Sequence, residues 1–144
     1  MIKAQGKIAV EPHKGRIVLN VSPDFVKLYN WFISNHYWIK MNTPLHGAHV
    51  TIYNTKHHKK VNWNKAVHYH NKQVEFNYDE YIIEGGYRKG FIMYYIKVYA
   101  RELETMKKRL GIQDGDGYRG LHITLCNGKS NTAVPSWPKI IEIR

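Results

Sequence analysis

Two short stretches of the chain carry reactive side chains in the same order. Gly47-Ala48-His49-Val50-Thr51-Ile52-Tyr53-Asn54 and Gly120-Leu121-His122-Ile123-Thr124-Leu125-Cys126-Asn127 share the pattern G-x-H-h-T-h-x-N, where h is aliphatic, and their histidines lie 73 residues apart. Residues i and i+2 of a strand point to one face. His49 therefore shares a face with Thr51, while Val50 and Ile52 anchor the other. His122 shares a face with Thr124, with Leu121, Ile123 and Leu125 behind. If the two segments are related by a twofold, both His-Thr faces can meet in one cleft. Two imidazoles and two hydroxyls suit a phosphodiester. One neutral histidine can take the proton of an attacking oxygen, and the other, protonated, can supply one to the leaving oxygen. The hydroxyls can hydrogen-bond the nonbridging phosphate oxygens. This chemistry calls for no metal or cofactor. A lone H-x-T triplet is a chance event in a chain with nine histidines. Two copies with matching flanks are not. The plain alternative is a pair of ordinary strands whose His and Thr face solvent.

The surrounding elements follow from periodicity and punctuation. Lys7–Val10 and Arg16–Val21 read as strands joined through Pro12, His13 and Gly15. Ser22 is a helix N-cap with Pro23 at the first helical position, and Phe25, Leu28, Tyr29, Phe32 and Ile33 recur at helical spacing to about Asn35. A strand is expected at Ala48–Tyr53 and a short helix at Asn62–Val67. Val74, Phe76 and Tyr78 alternate as a half-buried strand does. Tyr81–Glu84 and Phe91–Tyr99 flank a glycine-containing hairpin loop, Arg101–Leu110 is a polar helix stopped by Gly111, and Leu121–Cys126 and Ile140–Ile143 read as strands. Each motif copy thus follows a helix after a similar gap. Two related lobes in one α+β domain with a pseudo-twofold are the simplest arrangement.

The chain has 144 residues, which fits one domain over 1–144 or two small lobes with a common core. Hydrophobic residues at 43% and charged residues at 23% exclude wholesale disorder. No apolar run approaches the ~20 residues that span a bilayer, and no signal-peptide core is visible at the N-terminus. Cys126 is the single cysteine, which excludes an intrachain disulfide or a Cys-rich zinc module and suits a reducing cytoplasm. On an apolar strand its thiol is expected to be buried and inert. The net charge of +11 and pI of about 9.7 favour anionic partners. Aromatic residues reach 13%, and rings stack on bases where cations hold phosphate. Tyr118 and Arg119, just before the second motif, Lys129, just after it, and Trp137, in a Pro-flanked loop, are the candidate substrate contacts. His46, His57, His58, His68 and His70 invite a metal hypothesis. Their region lacks the carboxylates and thiols that usually complete a site, so exposed loop histidines are the ordinary reading.

The doubled motif resembles that of the 2H phosphoesterase superfamily. Three segments, 36–51, 85–91 and 118–124, are further similar to the anti-CBASS nucleases of T4-like tailed phages. The resemblance implies a bilobal α+β fold of two antiparallel sheets with a central cleft. It implies metal-independent cleavage of the 3′–5′ bonds of cyclic di- and trinucleotide immune messengers, in the cytoplasm of an infected bacterium, which blocks CBASS defence. His49 and His122 become the acid/base pair, and Thr51 and Thr124 the phosphate ligands. The partner implied is the cyclic nucleotide itself, with no membrane and no obligate protein partner. Rival readings are a 2H enzyme acting on 2′,3′-cyclic phosphate RNA ends, a non-catalytic basic RNA-binding module, and a nucleotide sponge.

Overall fold

Apolar residues at every second position build the strands, and glycines turn the chain between them. The computed structural model describes residues 1–37, 47–88, 91–115, 118, 120–129 and 139–142; at 34, 36–37, 86–88, 91, 129 and 139–142 it describes the backbone alone. Strand β1 (Ile2–Glu11) buries Ile8 and Val10 and turns through a 3-10 segment at Pro12–Lys14 into β2 (Arg16–Asn20). Gly15 closes that turn at φ +65°, a left-handed conformation that glycine adopts without steric cost. Helix α1 (Pro23–Tyr37) starts where expected: the Asp24 amide donates to Ser22 Oγ at 3.3 Å. It continues two residues past Asn35. Strand β3 (His49–Asn54) is followed by the four-residue helix α2 (Trp63–Ala66), capped by the Asn62 side chain, and by β4 (Gln73–Tyr78).

The second half repeats this plan. β5 (Tyr81–Arg88) and β6 (Phe91–Tyr99) form a hairpin, α3 (Arg101–Arg109) follows, and β7 (His122–Lys129) and β8 (Lys139–Glu142) complete it. Among the described residues all eight strands join in one sheet, in the order β4-β1-β2-β3-β7-β6-β5-β8. Every pairing is antiparallel. The sequence reading expects two sheets; hydrogen bonds link them into one. The order is nonetheless duplicated. Each half is a hairpin, a helix, a motif strand beside the second hairpin strand, and a last strand beside the first. The motif strands β3 and β7 meet at a single described pair, Val50 opposite Ile123. β4 also pairs with β6, through Asn77–Tyr99 and Tyr78–Val98.

Packing makes the halves interdependent. α1 lies against β7 and α3 against β4, so each helix covers a strand of the other half. One apolar cluster runs through both: Ile8, Leu19, Val50, Ile52, Val74 and Phe76 meet Val26 and Ile33 of α1, Leu103 and Met106 of α3, and Ile96, Ile123 and Leu125. Fully burying an aliphatic side chain of this size contributes about 1.5–3 kcal/mol. The polar residues of β3 and β7 alternate away from this core. A smaller cluster of Ile83, Met93 and Tyr95 is separate from it.

Candidate active site

The two motifs share more than sequence. Gly47 adopts φ +75° and Gly120 φ +79°, and a Cβ at either would meet nothing within 4 Å. What glycine supplies there is backbone freedom rather than room. In both copies the turned carbonyl meets the histidine two residues on: His49 Nδ1 lies 2.9 Å from Gly47 O, and His122 Nδ1 lies 2.8 Å from Gly120 O. A carbonyl only accepts, so Nδ1 carries the proton in each. The neutral ring then bears its lone pair on Nε2, the nitrogen through which acid–base chemistry would run. The next position is duplicated too. Ala48 O accepts from the Val21 amide at 3.1 Å, and Leu121 O accepts from the Val98 amide at 3.0 Å.

A bulge recurs at the same place in each motif strand. Val18 faces Thr51 and Ile17 faces Tyr53, so Ile52 is the extra residue of β3. Tyr95 faces Thr124 and Tyr94 faces Cys126, so Leu125 is the extra residue of β7. Both extra residues stand three positions after the histidine. A bulge bends its strand and re-aims neighbouring side chains, a common device beside active sites.

The seam sets the motifs side by side. Val50 and Ile123 are paired and both are 0% exposed. In an antiparallel pair the residues flanking such a couple point to the opposite face. His49, Thr51, His122 and Thr124 therefore share one sheet face, two on each side of the seam. All four are half-buried, neither sealed in the core nor fully exposed. His122 is supported by Tyr95, whose ring lies edge-on at 5.3 Å, and Thr124 Oγ1 donates to Met93 Sδ at 3.7 Å. Sulfur is a weak acceptor, so a phosphate oxygen can replace it at little cost.

Tyr118 has a different contact from the one expected. Its hydroxyl donates to the Thr51 carbonyl at 2.9 Å, tying the loop before the second motif to the strand of the first. Burial, with the negative charges of Asp114 and Glu104, pushes this phenol well above its ordinary range, so it stays a donor. Its ring packs edge-on against His58 at 4.5 Å and under Lys107 Nζ at 4.8 Å. The backbone of Lys129 pairs with Phe91 at the end of β7; its side chain, Arg119 and Trp137 lie outside the described residues.

The loop histidines need a correction. His57 and His68 are exposed, but His58 is buried, its side chain 0% exposed. Asn54 at the end of the motif strand donates its amide to His58 Nδ1 at 3.0 Å. His58 Nε2 lies 3.2 Å from Asp114 Oδ1 but is misaligned for a hydrogen bond, and Asp114 is paired with buried Lys107 at 2.8 Å. Burial lowers the His58 pKa, assisted by Lys107 and opposed by Asp114 and by the Asn54 carbonyl, which lies 3.1 Å from Nδ1 and would accept from the protonated ring. His70 Nδ1 accepts from the Val10 amide at 3.0 Å, a structural role. Sequence spacing gave no sign of the His58–Asp114–Lys107–Tyr118 cluster, because loops bring it together. Cys126 is buried as expected, and burial pushes its thiol up to about 12. Among the described residues no three His, Cys, Asp or Glu side chains converge as metal ligands.

No protein-family model matches the chain, and comparison with curated proteins and with solved structures returns no match.

Proposed function

We propose that the chain is a metal-independent phosphodiesterase of the 2H type that opens the 3′–5′ bonds of cyclic di- and trinucleotide messengers. The observation that carries this reading is the shared face of His49, Thr51, His122 and Thr124, each histidine oriented by the same glycine carbonyl bond. In this reading the halves act as two lobes about a pseudo-twofold, with the scissile phosphate in a cleft across the seam. One neutral imidazole removes the proton of the ribose 2′-hydroxyl. That oxygen attacks phosphorus in line, the bond from phosphorus to the 5′-oxygen breaks, and the second, protonated imidazole supplies the leaving oxygen's proton. The product is a linear nucleotide with a 2′,3′-cyclic phosphate at one end and a 5′-hydroxyl at the other. Thr51 and Thr124 donate to the nonbridging oxygens as charge builds there. The net charge of +11 assists capture of the anionic substrate. Action in a bacterial cytoplasm against CBASS signalling is the role that the sequence resemblance assigns to such an activity.

The test is incubation with a cyclic dinucleotide and, separately, with RNA ending in a 2′,3′-cyclic phosphate, both with EDTA. Opening of the ring is the expected result. Turnover confined to the RNA ends would replace the substrate and keep the chemistry. Recovery of both substrates intact would remove the enzyme.

A further inference from the structure

The strand register extends the motif face sideways. Directly opposed residues in an antiparallel ladder share a face. Asn20 is opposite His49, and Lys7 is opposite Asn20, which puts a lysine two strands beyond the first histidine. Lys97 is opposite His122 on the other side. On β5, Ile83 is opposite Tyr95, so Tyr81, two residues earlier, lies on this face next to the Lys97 level. Strands are about 4.8 Å apart, so Lys97 stands roughly 5 Å from His122 across the sheet, and Lys7 roughly 10 Å from His49. Asn20, Lys7 and Lys97 are all exposed, and no described residue pairs with either ammonium. Tyr81 is 48% exposed.

We propose that this face carries a flanking-nucleotide subsite on each side of the scissile phosphate, with Lys97 and Tyr81 beyond His122 and Lys7 and Asn20 beyond His49. The proposal rests on the phosphodiesterase reading and adds to it the residues that would hold the nucleotides on either side of the scissile bond. A compact cation on a flexible stem suits a neighbouring phosphate. An exposed phenol ring suits the face of a base, and Asn20 adds a neutral donor and acceptor. A substrate that fills both flanks has a second nucleotide and a second phosphate. A cyclic oligonucleotide meets that requirement, and a single nucleoside 2′,3′-cyclic phosphate does not.

The test compares kcat/KM for a 3′–5′ cyclic dinucleotide with kcat/KM for a nucleoside 3′-(4-nitrophenyl phosphate), which keeps the attacking 2′-hydroxyl but has no second nucleotide, in the parent, Lys7→Ala and Tyr81→Ala. The ratio between the two substrates is expected to fall roughly tenfold in each variant. An unchanged ratio overturns the subsites. Calorimetric Kd values for the cyclic dinucleotide on the same three proteins separate this from the catalytic reading, since they need no turnover. Weakening of roughly tenfold in the variants supports the subsites even if the parent cleaves nothing. Equal affinity in all three proteins, or no binding to the parent, overturns them.

Discussion

Each motif histidine is held through Nδ1 by the carbonyl of a glycine two residues earlier. The left-handed backbone at Gly47 and Gly120 turns a carbonyl toward Nδ1 two residues later, and that bond sets the tautomer. The empty space around both Cα atoms makes the consequence of substitution specific. Gly47→Ala or Gly120→Ala meets no clash, so the cost is backbone strain of about 1 kcal/mol, or a rotation that takes the carbonyl off the ring. We expect each variant to remain folded, with Tm lower by a few degrees, and to lose about tenfold in kcat. Circular dichroism melts and steady-state kinetics check this together. Full activity in both variants would mean that the carbonyl bond does not position the imidazole.

At the scale of elements, the motif strands depend on what holds them. β3 and β7 meet at one described pair, and Tyr118 adds a tie from the neighbouring loop to the Thr51 carbonyl. Tyr118→Phe keeps the ring against His58 and leaves that carbonyl without its donor. A loss of about 1 kcal/mol is expected, read from the midpoint of urea unfolding at unchanged m-value. An unaltered midpoint would show that the hydroxyl contributes nothing. Most of these elements were readable beforehand, because alternating apolar residues and helical spacing are local signals. Ile8 and Val10, Val74 and Phe76, and the Ser22-Pro23 start all fold as their spacing indicates. The His-x-Thr alternation also foretold which side chains leave the core. The pairing of Val50 with Ile123 was not readable, because a seam between segments 73 residues apart leaves no local mark. Nor were the bulges at Ile52 and Leu125: an extra residue in a ladder is defined by its partner strand. His58 was misread for the same reason. Its burial comes from the distant segment carrying Lys107, Asp114 and Tyr118.

For the whole molecule, the duplicated strand order and crossed helices make one core serve both motifs. Loss of packing in one half should therefore disturb the other. The buried polar cluster behind β3 is where pH reaches that core. The folded-state pKa of His58 is lowered, so below about pH 6.5 the unfolded chain binds a proton that the folded chain resists. The contribution of a neutral His58 is complete above that pH and is lost as pH falls toward the folded pKa. Tm measured from pH 7.5 to 5 should drop through this window, and His58→Gln should flatten that part of the curve. An equal slope in both proteins would place the acid sensitivity elsewhere.

The central claim is that two histidines, one from each half, divide the proton transfers of a single phosphodiester cleavage. Its most direct measurement is turnover of a cyclic dinucleotide, in EDTA, by the parent, His49→Ala and His122→Ala, with Tm recorded for all three. Each variant should lose roughly 10²–10⁴-fold in kcat or more while melting near the parent. Near-parental turnover by either variant would contradict the account.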